Sequence, residues 1–159
     1  MTRHLQQQHT QIQTELAEKG KNCFITERSV YSTLNVFAEA QRDLGNISQQ
    51  QFEQLEILAN DIPKPDYIVF LNTTPEQVLE RIKTRNRECE KDITLEYLQL
   101  LDQKDDFWFK PERPVGARPV DVIDTRQKQE EKVIAEAINL IQENIRSYAS
   151  ILEPESESE

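Results

Sequence analysis

Short apolar runs alternate with amphipathic stretches along the chain. Residues 67–71 form a continuous apolar run, rich in β-branched and aromatic side chains, which is typical of a parallel strand covered on both faces. Thr74 follows as an N-cap, with Pro75 at the first helical position and Gln77 at the third, so the pattern predicts a helix that starts at once. A strand followed so closely by a helix indicates one half of a βαβ unit.

The same kinds of apolar and polar pattern predict further strands and helices before and after these two elements. Two more short apolar runs have strand character, and Gly and Pro positions separate the polar helices. In chain order these are a Gln-rich helix over residues 1–19, a strand over 22–26, a helix from Val30 to Gly45, a helix opened by a capping box at Ser48 and ended by Pro63, a helix from Thr94, a proline-containing loop over 110–119, a strand over 120–123 and a last helix capped by Asp124. Three strands alternating with five helices after the first helix predict an α/β fold that is rich in helix.

Composition indicates a small core. The chain has 159 residues, of which 30% are charged and 36% hydrophobic, so polar helices are expected to surround a limited apolar interior. The aromatic residues 107–109 are expected in that core rather than on a stacking platform. Residues 1–150 are expected to form one domain, and the acidic residues 151–159 a disordered tail.

The charge and the cysteine content limit which partners and which cellular compartment are expected. The formal net charge is −10, an unfavourable balance for non-specific nucleic-acid binding, so we expect no nucleic-acid partner. The two cysteines, Cys23 and Cys89, offer neither a disulfide framework nor metal-ligand spacing. No apolar run reaches membrane-spanning length and no signal peptide is evident. These features favour a cytoplasmic protein without a membrane partner.

Candidate chemistry lies where the helix after Thr74 ends. Arg81, Arg85 and Arg87 can converge on one polyanion because the guanidinium fork makes bidentate contacts to phosphate, and Glu90 follows them. The alternative is a solvated helix end whose cations favour the negative end of the helix dipole. A second stretch, residues 25–32, also leaves a predicted strand with charged residues at its carboxyl end. Two such strand ends favour a ligand crevice of the kind that open α/β sheets form.

These two stretches resemble the deoxynucleoside kinase family in order and spacing. The matching motifs are Glu27-Arg28-Ser29 followed by Tyr31-Ser32 and Phe37, and Arg81-x-x-x-Arg85-x-Arg87-x-x-Glu90 followed by residues 95–98 and Trp108. The resemblance covers residues 21–124. It implies a P-loop kinase-like parallel sheet with flanking helices, and an enzyme that transfers the γ-phosphoryl group of ATP to the 5'-hydroxyl of a deoxynucleoside.

The resemblance also implies a role for each matched residue. Glu27 would help to hold Mg²⁺ between the donor phosphates, and Arg28 would lie against the acceptor 5'-hydroxyl. Arg81, Arg85 and Arg87 would form the lid over the ATP triphosphate, with Arg28, Arg85 and Arg87 acting on the transferring group. The remaining implied roles are a hydrogen bond from the sugar 3'-hydroxyl to Glu90, a base-reading position at Thr33, and an adenine loop from Asp124 to residue 129.

The sequence departs from the family pattern before residue 27. No G-x-x-x-x-G-K-[ST] segment occurs, and the only glycines are Gly20, Gly45 and Gly116. In the family, that phosphate loop, a catalytic carboxylate and two strands precede the first motif. One of those strands would separate residues 22–26 from residues 67–71. We therefore expect a fragment, or an incomplete reading of a longer gene, that shows no phosphoryl transfer alone.

Other readings stay open. A kinase-derived module could bind nucleotide or a protein without catalysis, and Glu27 and Arg28 could form an ordinary ion pair at a strand end. A nucleoside monophosphate kinase uses a similar lid but matches residues 27–32 less well. Family members dimerise through helices, and the helices that begin near Ser29 and Ser48 are the candidates for a homodimer.

Overall fold

The computed structural model describes residues 24–60, 62, 64–109 and 119–152, with Thr10 and Thr14, and for residues 148–152 the backbone alone. Thr10 and Thr14 are helical, and the rest of the helix expected over residues 1–19 lies outside the described residues. The elements are helix α1 (π-helical over Ser32–Ala38, then α-helical over Glu39–Asp43), α2 (Gln49–Asn60), strand β1 (Ile68–Asn72), α3 (Pro75–Arg85), a 3₁₀ turn (Glu88–Glu90), α4 (Leu95–Phe109), β2 (Val120–Asp124) and α5 (Glu130–Leu152).

The two strands pair in parallel, with Ile68 opposite Val120 and Asn72 opposite Asp124. The chain between them passes through α3 and α4, because parallel neighbours need a crossover connection. The backbone N–H of Thr125 continues the ladder by donating to the Asn72 carbonyl at 2.8 Å. The predicted helix-rich α/β class is confirmed.

The core lies between this sheet and the helices. Ile123 of β2 is fully buried, and the ring of Phe70 on β1 stacks on Phe109 of α4 with centroids 5.3 Å apart. The expectation that residues 107–109 all belong to the core is wrong for Phe107, which is 62% exposed at the end of α4. Leu71 is 51% exposed, so the predicted cover on both faces of β1 is incomplete.

A charged cluster joins α4 to α1. The Lys104 ammonium lies 3.3 Å from a Glu39 carboxylate oxygen and 2.6 Å from one of Asp43. The hydrogen bond from Lys104 holds the pKa of Asp43 below its usual value, and the hydrogen bond to Asp43 raises the pKa of Lys104. Gln41 adds a hydrogen bond to the Tyr97 hydroxyl at 3.2 Å. Polar contacts therefore fix the position of α1 on α4.

Two predictions about elements are wrong, and one boundary moves. Residues 24–26 of the expected strand are not in a strand, and residues 22–23 lie outside the described residues. Ile25 is 73% exposed, and the described strands pair only with each other, so residues 24–26 have no ladder to join. Asp124 does not cap the last helix, because its carboxylate accepts from the Arg126 N–H at 3.0 Å and α5 begins six residues later, at Glu130. The helix continues through Leu152 rather than ending near 150, and residues 153–159 lie outside the described residues.

No helix within the described residues combines the length and the apolar character needed to cross a bilayer.

Candidate functional site

The carboxyl ends of β1 and β2 meet the start of α3. Thr74 caps α3 as predicted, with its hydroxyl accepting from the Gln77 N–H at 3.3 Å. The Gln77 side chain does not return to the Thr74 backbone, as a full capping box would require. Its amide oxygen accepts from the Thr73 hydroxyl at 2.9 Å, and its Nε2 donates to the Arg126 carbonyl at 3.0 Å. Gln77 thus ties the segment after β2 to the first turn of α3.

The other end of α3 turns back on itself. Asn86 ends the helix in the left-handed region at φ 50°, a conformation that Asn tolerates better than most residues. The 3₁₀ turn follows, in which the Glu90 N–H donates to the Arg87 carbonyl at 3.1 Å and the Ile93 N–H donates to the Glu90 carbonyl at 3.2 Å. These backbone bonds bring Glu90 back beside the last turn of α3.

Arg85 and Glu90 form a bidentate ion pair. The Arg85 Nε donates to Glu90 Oε2 at 3.1 Å, and Nη2 donates to Oε1 at 2.9 Å and to Oε2 at 2.8 Å. The Glu90 side chain is 17% exposed, and that of Arg85 is 47% exposed. The guanidinium fork of Arg85 therefore already binds an oxyanion from within the chain.

Arg87 joins the same carboxylate more loosely, with its Nη1 3.6 Å from Glu90 Oε1. Arg81 is exposed and makes no ion pair with any described residue. We name Arg81, Arg85, Arg87 and Glu90 the arginine cluster. Two cations, Arg85 and Arg87, share the Glu90 carboxylate, and Arg81 carries a third positive charge one turn earlier on α3.

Glu27 and Arg28 lie just before α1, and both are exposed. Arg28 has φ 66°, in the left-handed region that side chains other than Gly, Asn and Asp rarely adopt. Its guanidinium carbon lies 4.3 Å from the centroid of the Phe37 ring, a cation–π contact. Glu27 makes no ion pair with any described residue, so the simple Glu27–Arg28 pair considered from the sequence is not observed.

The segment after Arg28 has an unusual helical hydrogen-bond pattern. The Ser32 hydroxyl donates to the Ser29 carbonyl at 3.0 Å and accepts from the Ser29 N–H at 3.1 Å. Thr33 donates its N–H to the Ser29 carbonyl at 3.1 Å and lies half-buried at the start of the π-helical part of α1. A π-helical segment is rare and occurs frequently at functional sites, so we include this stretch in the candidate site.

The structure brings Arg85, Arg87 and Glu90 together, leaves Arg81 without an ion pair to Glu90, and does not join this group directly to Glu27 and Arg28. Among the residues that the structure describes, no hydrogen bond or ion pair connects the two groups. Helix α4 packs against both α1 and α3, so the same helix supports the elements that hold the two groups.

Two features of the site were not predicted from the sequence. The contact between Arg28 and Phe37 gives Phe37 a place beside a candidate catalytic side chain, and its only earlier signal was membership of the first motif. The second is the pair at the end of β2, where the Arg126 guanidinium donates to Asp124 at 2.8 Å and holds the pKa of that carboxyl far below its usual range. Their pairing had no signal in the sequence, although both residues lie in the stretch that the resemblance implies to be an adenine loop.

Metal binding by protein side chains alone has no support in the described part of the chain, where no group of three or more His, Cys, Asp or Glu residues is placed to hold an ion. A single carboxylate such as Glu27 still suits Mg²⁺, which keeps water and takes substrate phosphate oxygens as its other ligands.

Comparison with known proteins gives a family and several relatives. The family model described as deoxynucleoside kinase matches residues 1–146. The chain is 40% identical over 81 residues to deoxyadenosine kinase of Dictyostelium discoideum, covering 48% of this chain and 33% of that protein. It is 34% identical over 105 residues to deoxycytidine kinase 2 of Gallus gallus (62% and 40%) and over 90 residues to mitochondrial thymidine kinase 2 of Homo sapiens (54% and 34%). The matched segment thus spans less than half the length of each of these relatives.

The parallel strands, their helical crossover and the surrounding helices have the architecture of an α/β kinase. The chain belongs to the deoxynucleoside kinase family.

Proposed function

We propose that this chain carries the lid and part of the acceptor site of a deoxynucleoside kinase, which transfers the γ-phosphoryl group of ATP to the 5'-hydroxyl of a deoxynucleoside. The observation that carries the proposal is the bidentate pair between Arg85 and Glu90. It supports a guanidinium fork at the end of a helix that binds an oxyanion in bidentate fashion, here the Glu90 carboxylate, whose place a phosphate group of ATP would take.

In this proposal the arginine cluster serves the donor side and acts as the lid. Arg81, Arg85 and Arg87 bind the phosphate oxygens of ATP and stabilise the charge that spreads over the transferring group. Arg81 is exposed without an ion-pair partner among the described residues, so its charge is free for a ligand. Glu27 is also exposed and would supply one carboxylate ligand to Mg²⁺, which neutralises phosphate charge when it is bound.

The acceptor side is served by Arg28, Thr33 and Glu90. Arg28 lies against the 5'-hydroxyl, held near the start of α1 by its contact with Phe37. Glu90 accepts a hydrogen bond from the 3'-hydroxyl of the sugar, and Thr33 faces the base as a neutral residue. Positioning of the two substrates supplies much of the rate enhancement in such transfers.

Nucleotide binding by the purified chain tests the donor half of this proposal. Titration calorimetry with ATP and Mg²⁺ should give binding that Arg85→Ala weakens by about tenfold, because a charge-assisted bidentate contact is lost. Lys83→Ala is the matched control, since Lys83 is an exposed cation in the same last turn of α3. Absence of ATP binding, or an equal loss in both variants, would overturn the lid assignment.

A second function, nucleotide binding without catalysis, is favoured by the lack of a G-x-x-x-x-G-K-[ST] segment in the sequence. Incubation of the 159-residue chain with labelled ATP and each deoxynucleoside should therefore give no phosphoryl transfer above background. Turnover that is sensitive to Arg85→Ala would contradict this expectation.

A polypeptide made by adding a strand and a phosphate loop before Met1 would distinguish the remaining functional alternatives by the acceptor that it phosphorylates. Transfer to a deoxynucleoside supports the kinase, preference for a nucleoside monophosphate supports a monophosphate kinase, and binding without transfer supports the non-catalytic module.

A further inference from the structure

Thr84 lies in the last turn of α3, among the side chains of the arginine cluster. In the sequence it is the one serine or threonine that has an arginine three residues before it, namely Arg81, whereas Thr94 has Lys91 in that place. Both Thr84 and Arg81 are exposed. Residues three apart on a helix are neighbours, with β-carbons about 5–6 Å apart. The threonine hydroxyl and the guanidinium therefore lie on one accessible part of the helix surface.

The charges around Thr84 form the pattern that selects a protein kinase with an acidic substrate site, called a basophilic kinase. Such a kinase binds a basic side chain before the acceptor hydroxyl through its own carboxylates. Lys83 and Arg85 flank Thr84 directly, and the nearest carboxylates in the sequence, those of Glu80 and Glu88, are each four residues away. A kinase that selects acidic substrates would find no matching charge next to this hydroxyl.

The end of α3 can open to admit a kinase, which needs its acceptor segment in an extended form. Residues 83–89 are all exposed, so opening this segment removes none of their side chains from the core. The contacts that break include the backbone bond from the Asn86 N–H to the Ile82 carbonyl and the ion pair of Arg85 with Glu90. Helix ends with few buried apolar contacts open locally at a low free-energy cost.

We propose that Thr84 is a phosphorylation site for a basophilic protein kinase, and that its phosphate occupies the arginine cluster in place of a polyphosphate. In the modification step, Oγ1 of Thr84 forms a bond to the γ-phosphorus of an ATP molecule held by that kinase. The bond from this phosphorus to the bridging oxygen breaks, ADP leaves, and the hydroxyl proton passes to a carboxylate of the kinase. The effect on polyphosphate rests on the function proposed above for the arginine cluster.

Arg81 is the first partner for a phosphate on Thr84. It makes no ion pair with any described residue, and its guanidinium fork matches the geometry of phosphate oxygens. A phosphothreonine adds about 1.5 to 2 negative charges. Arg85 and Arg87 already share the Glu90 carboxylate, so the added charge offsets nearly all of the positive charge that the cluster retains. A polyphosphate would then meet a nearly neutral cluster.

Incubation of the full chain with labelled ATP and a basophilic kinase that requires arginine three residues before the acceptor tests the modification. Mass spectrometry should locate the phosphate at Thr84, and Thr84→Ala should abolish it. Arg81→Gln should lower the kcat/KM of the kinase for this chain by about tenfold, because a bidentate contact to the kinase is lost. The matched control Lys83→Gln removes a cation from the same turn and should have a much smaller effect. Absence of phosphate from Thr84, or equal losses in the two Gln variants, would overturn the site.

Phosphorus NMR tests whether the arginine cluster binds the new phosphate, without any added nucleotide. The second pKa of a solvated phosphothreonine is about 6, and a guanidinium partner should lower this pKa because it favours the doubly charged form. The resonance of phosphorylated Thr84 should therefore titrate at a lower pH in the wild-type sequence than in Arg81→Gln. Equal pKa values in the two proteins would place the phosphate in solvent and overturn its capture by Arg81.

Titration calorimetry with inorganic tripolyphosphate tests the regulatory effect. Phosphorylation of Thr84 should lower the affinity by about tenfold, because the phosphate competes for the same arginines. Unphosphorylated Thr84→Ala should bind tripolyphosphate as the wild type does. An affinity that phosphorylation leaves unchanged would overturn the regulation. An unmodified chain that binds no tripolyphosphate would instead refute the proposed function of the cluster and the regulation with it, while the labelling and the NMR titration still decide the modification site and the capture of its phosphate.

Discussion

The guanidinium of Arg85 and the carboxylate of Glu90 lie edge to edge, with Nη2 2.9 Å from Oε1 and Nε 3.1 Å from Oε2. The edge of the fork that would bind two phosphate oxygens is therefore filled by a carboxylate of the same chain. A polyphosphate that binds there must displace Glu90. The displaced carboxylate is then free for another hydrogen-bond donor, such as the hydroxyl of an acceptor sugar.

Removing the charge of Glu90 should tighten polyphosphate binding. We expect Glu90→Gln to raise the affinity for inorganic tripolyphosphate by about three- to tenfold, because an exposed ion pair of this kind contributes about 1 kcal/mol and no longer competes. Titration calorimetry at fixed ionic strength measures the change.

Glu88→Gln is the control for this prediction, since Glu88 lies in the same 3₁₀ turn and pairs with Lys91 instead. It removes the same charge and should change the affinity for tripolyphosphate much less. A weaker affinity in Glu90→Gln than in the wild type would contradict the prediction, and would mean that Glu90 holds the arginines in place for the ligand.

The backbone at Arg28 should be strained. At φ 66° a β-carbon lies close to the following carbonyl oxygen, whereas glycine adopts this conformation freely. Arg28→Gly and Arg28→Ala both remove the contact with Phe37. The difference between their free energies of unfolding therefore reports the backbone strain alone. We expect Arg28→Gly to be more stable than Arg28→Ala by about 1 kcal/mol in the free energy of unfolding.

Urea denaturation of both variants gives this difference. Ala40→Gly within α1 is the control, because there the loss of a side chain in a helix should destabilise. Equal stability of the two Arg28 variants would mean that the chain relaxes out of the left-handed region once the side chain is shortened.

The elements that the sequence predicted well depend on residues close together in the chain. The capping box at Ser48 is formed as expected, with the Ser48 hydroxyl accepting from the Gln51 N–H at 3.2 Å and the Gln51 side chain accepting from the Ser48 N–H at 2.8 Å. The apolar run of β1 and the N-cap of α3 were also evident in the sequence. Both the pattern of apolar residues and the N-cap residue depend only on neighbouring positions in the chain.

The elements that the sequence predicted poorly depend on distant partners. Gln77 has the right position for a capping box, but its side-chain oxygen accepts from the Thr73 hydroxyl, and its Nε2 donates to the Arg126 carbonyl, 49 residues away. Residues 24–26 have strand composition, yet a strand exists only where a neighbour pairs with it. In the candidate site, the grouping of Arg85, Arg87 and Glu90 followed from helical spacing and a turn. The contact of Arg28 with Phe37 occurs where Arg28 has a positive φ. An arginine at this position does not indicate a positive φ, so the sequence could not predict it.

The N-cap of α3 should be a measurable part of the stability of the chain. Thr74 satisfies the Gln77 N–H at the helix start, so Thr74→Ala should lower the free energy of unfolding by about 1 kcal/mol. Thr84→Ala is a matched control in the same helix, where the Thr84 hydroxyl donates to the Glu80 carbonyl. Because alanine is the better helix former, that control should be neutral or slightly stabilising. Equal losses in the two variants would exclude capping as the cause.

The ion cluster of Lys104 with Glu39 and Asp43 should make stability depend on pH. The pKa of Asp43 in the folded chain lies below its ordinary value of 3.8 because of the hydrogen bond from Lys104. The folded state therefore binds this proton less readily than the unfolded state. The stabilisation is fully present above the unfolded pKa and is lost as the pH falls through the lower, folded pKa.

Lys104→Met should expose this dependence. At pH 7 the variant should be less stable than the wild type by about 1 kcal/mol, a value limited by the partial exposure of the cluster. Its difference from the wild type should shrink as the pH falls below about 4, because protonated Asp43 no longer attracts the ammonium. The pKa of Lys104 is raised above 10.5, so its own stabilisation persists until the pH rises through that higher value.

Lys91→Met, which removes an exposed partner of Glu88, should show a smaller loss. Thermal unfolding of the three proteins between pH 3 and 8 measures the effect, and a loss in Lys104→Met that is independent of pH would assign it to packing of the lysine stem instead.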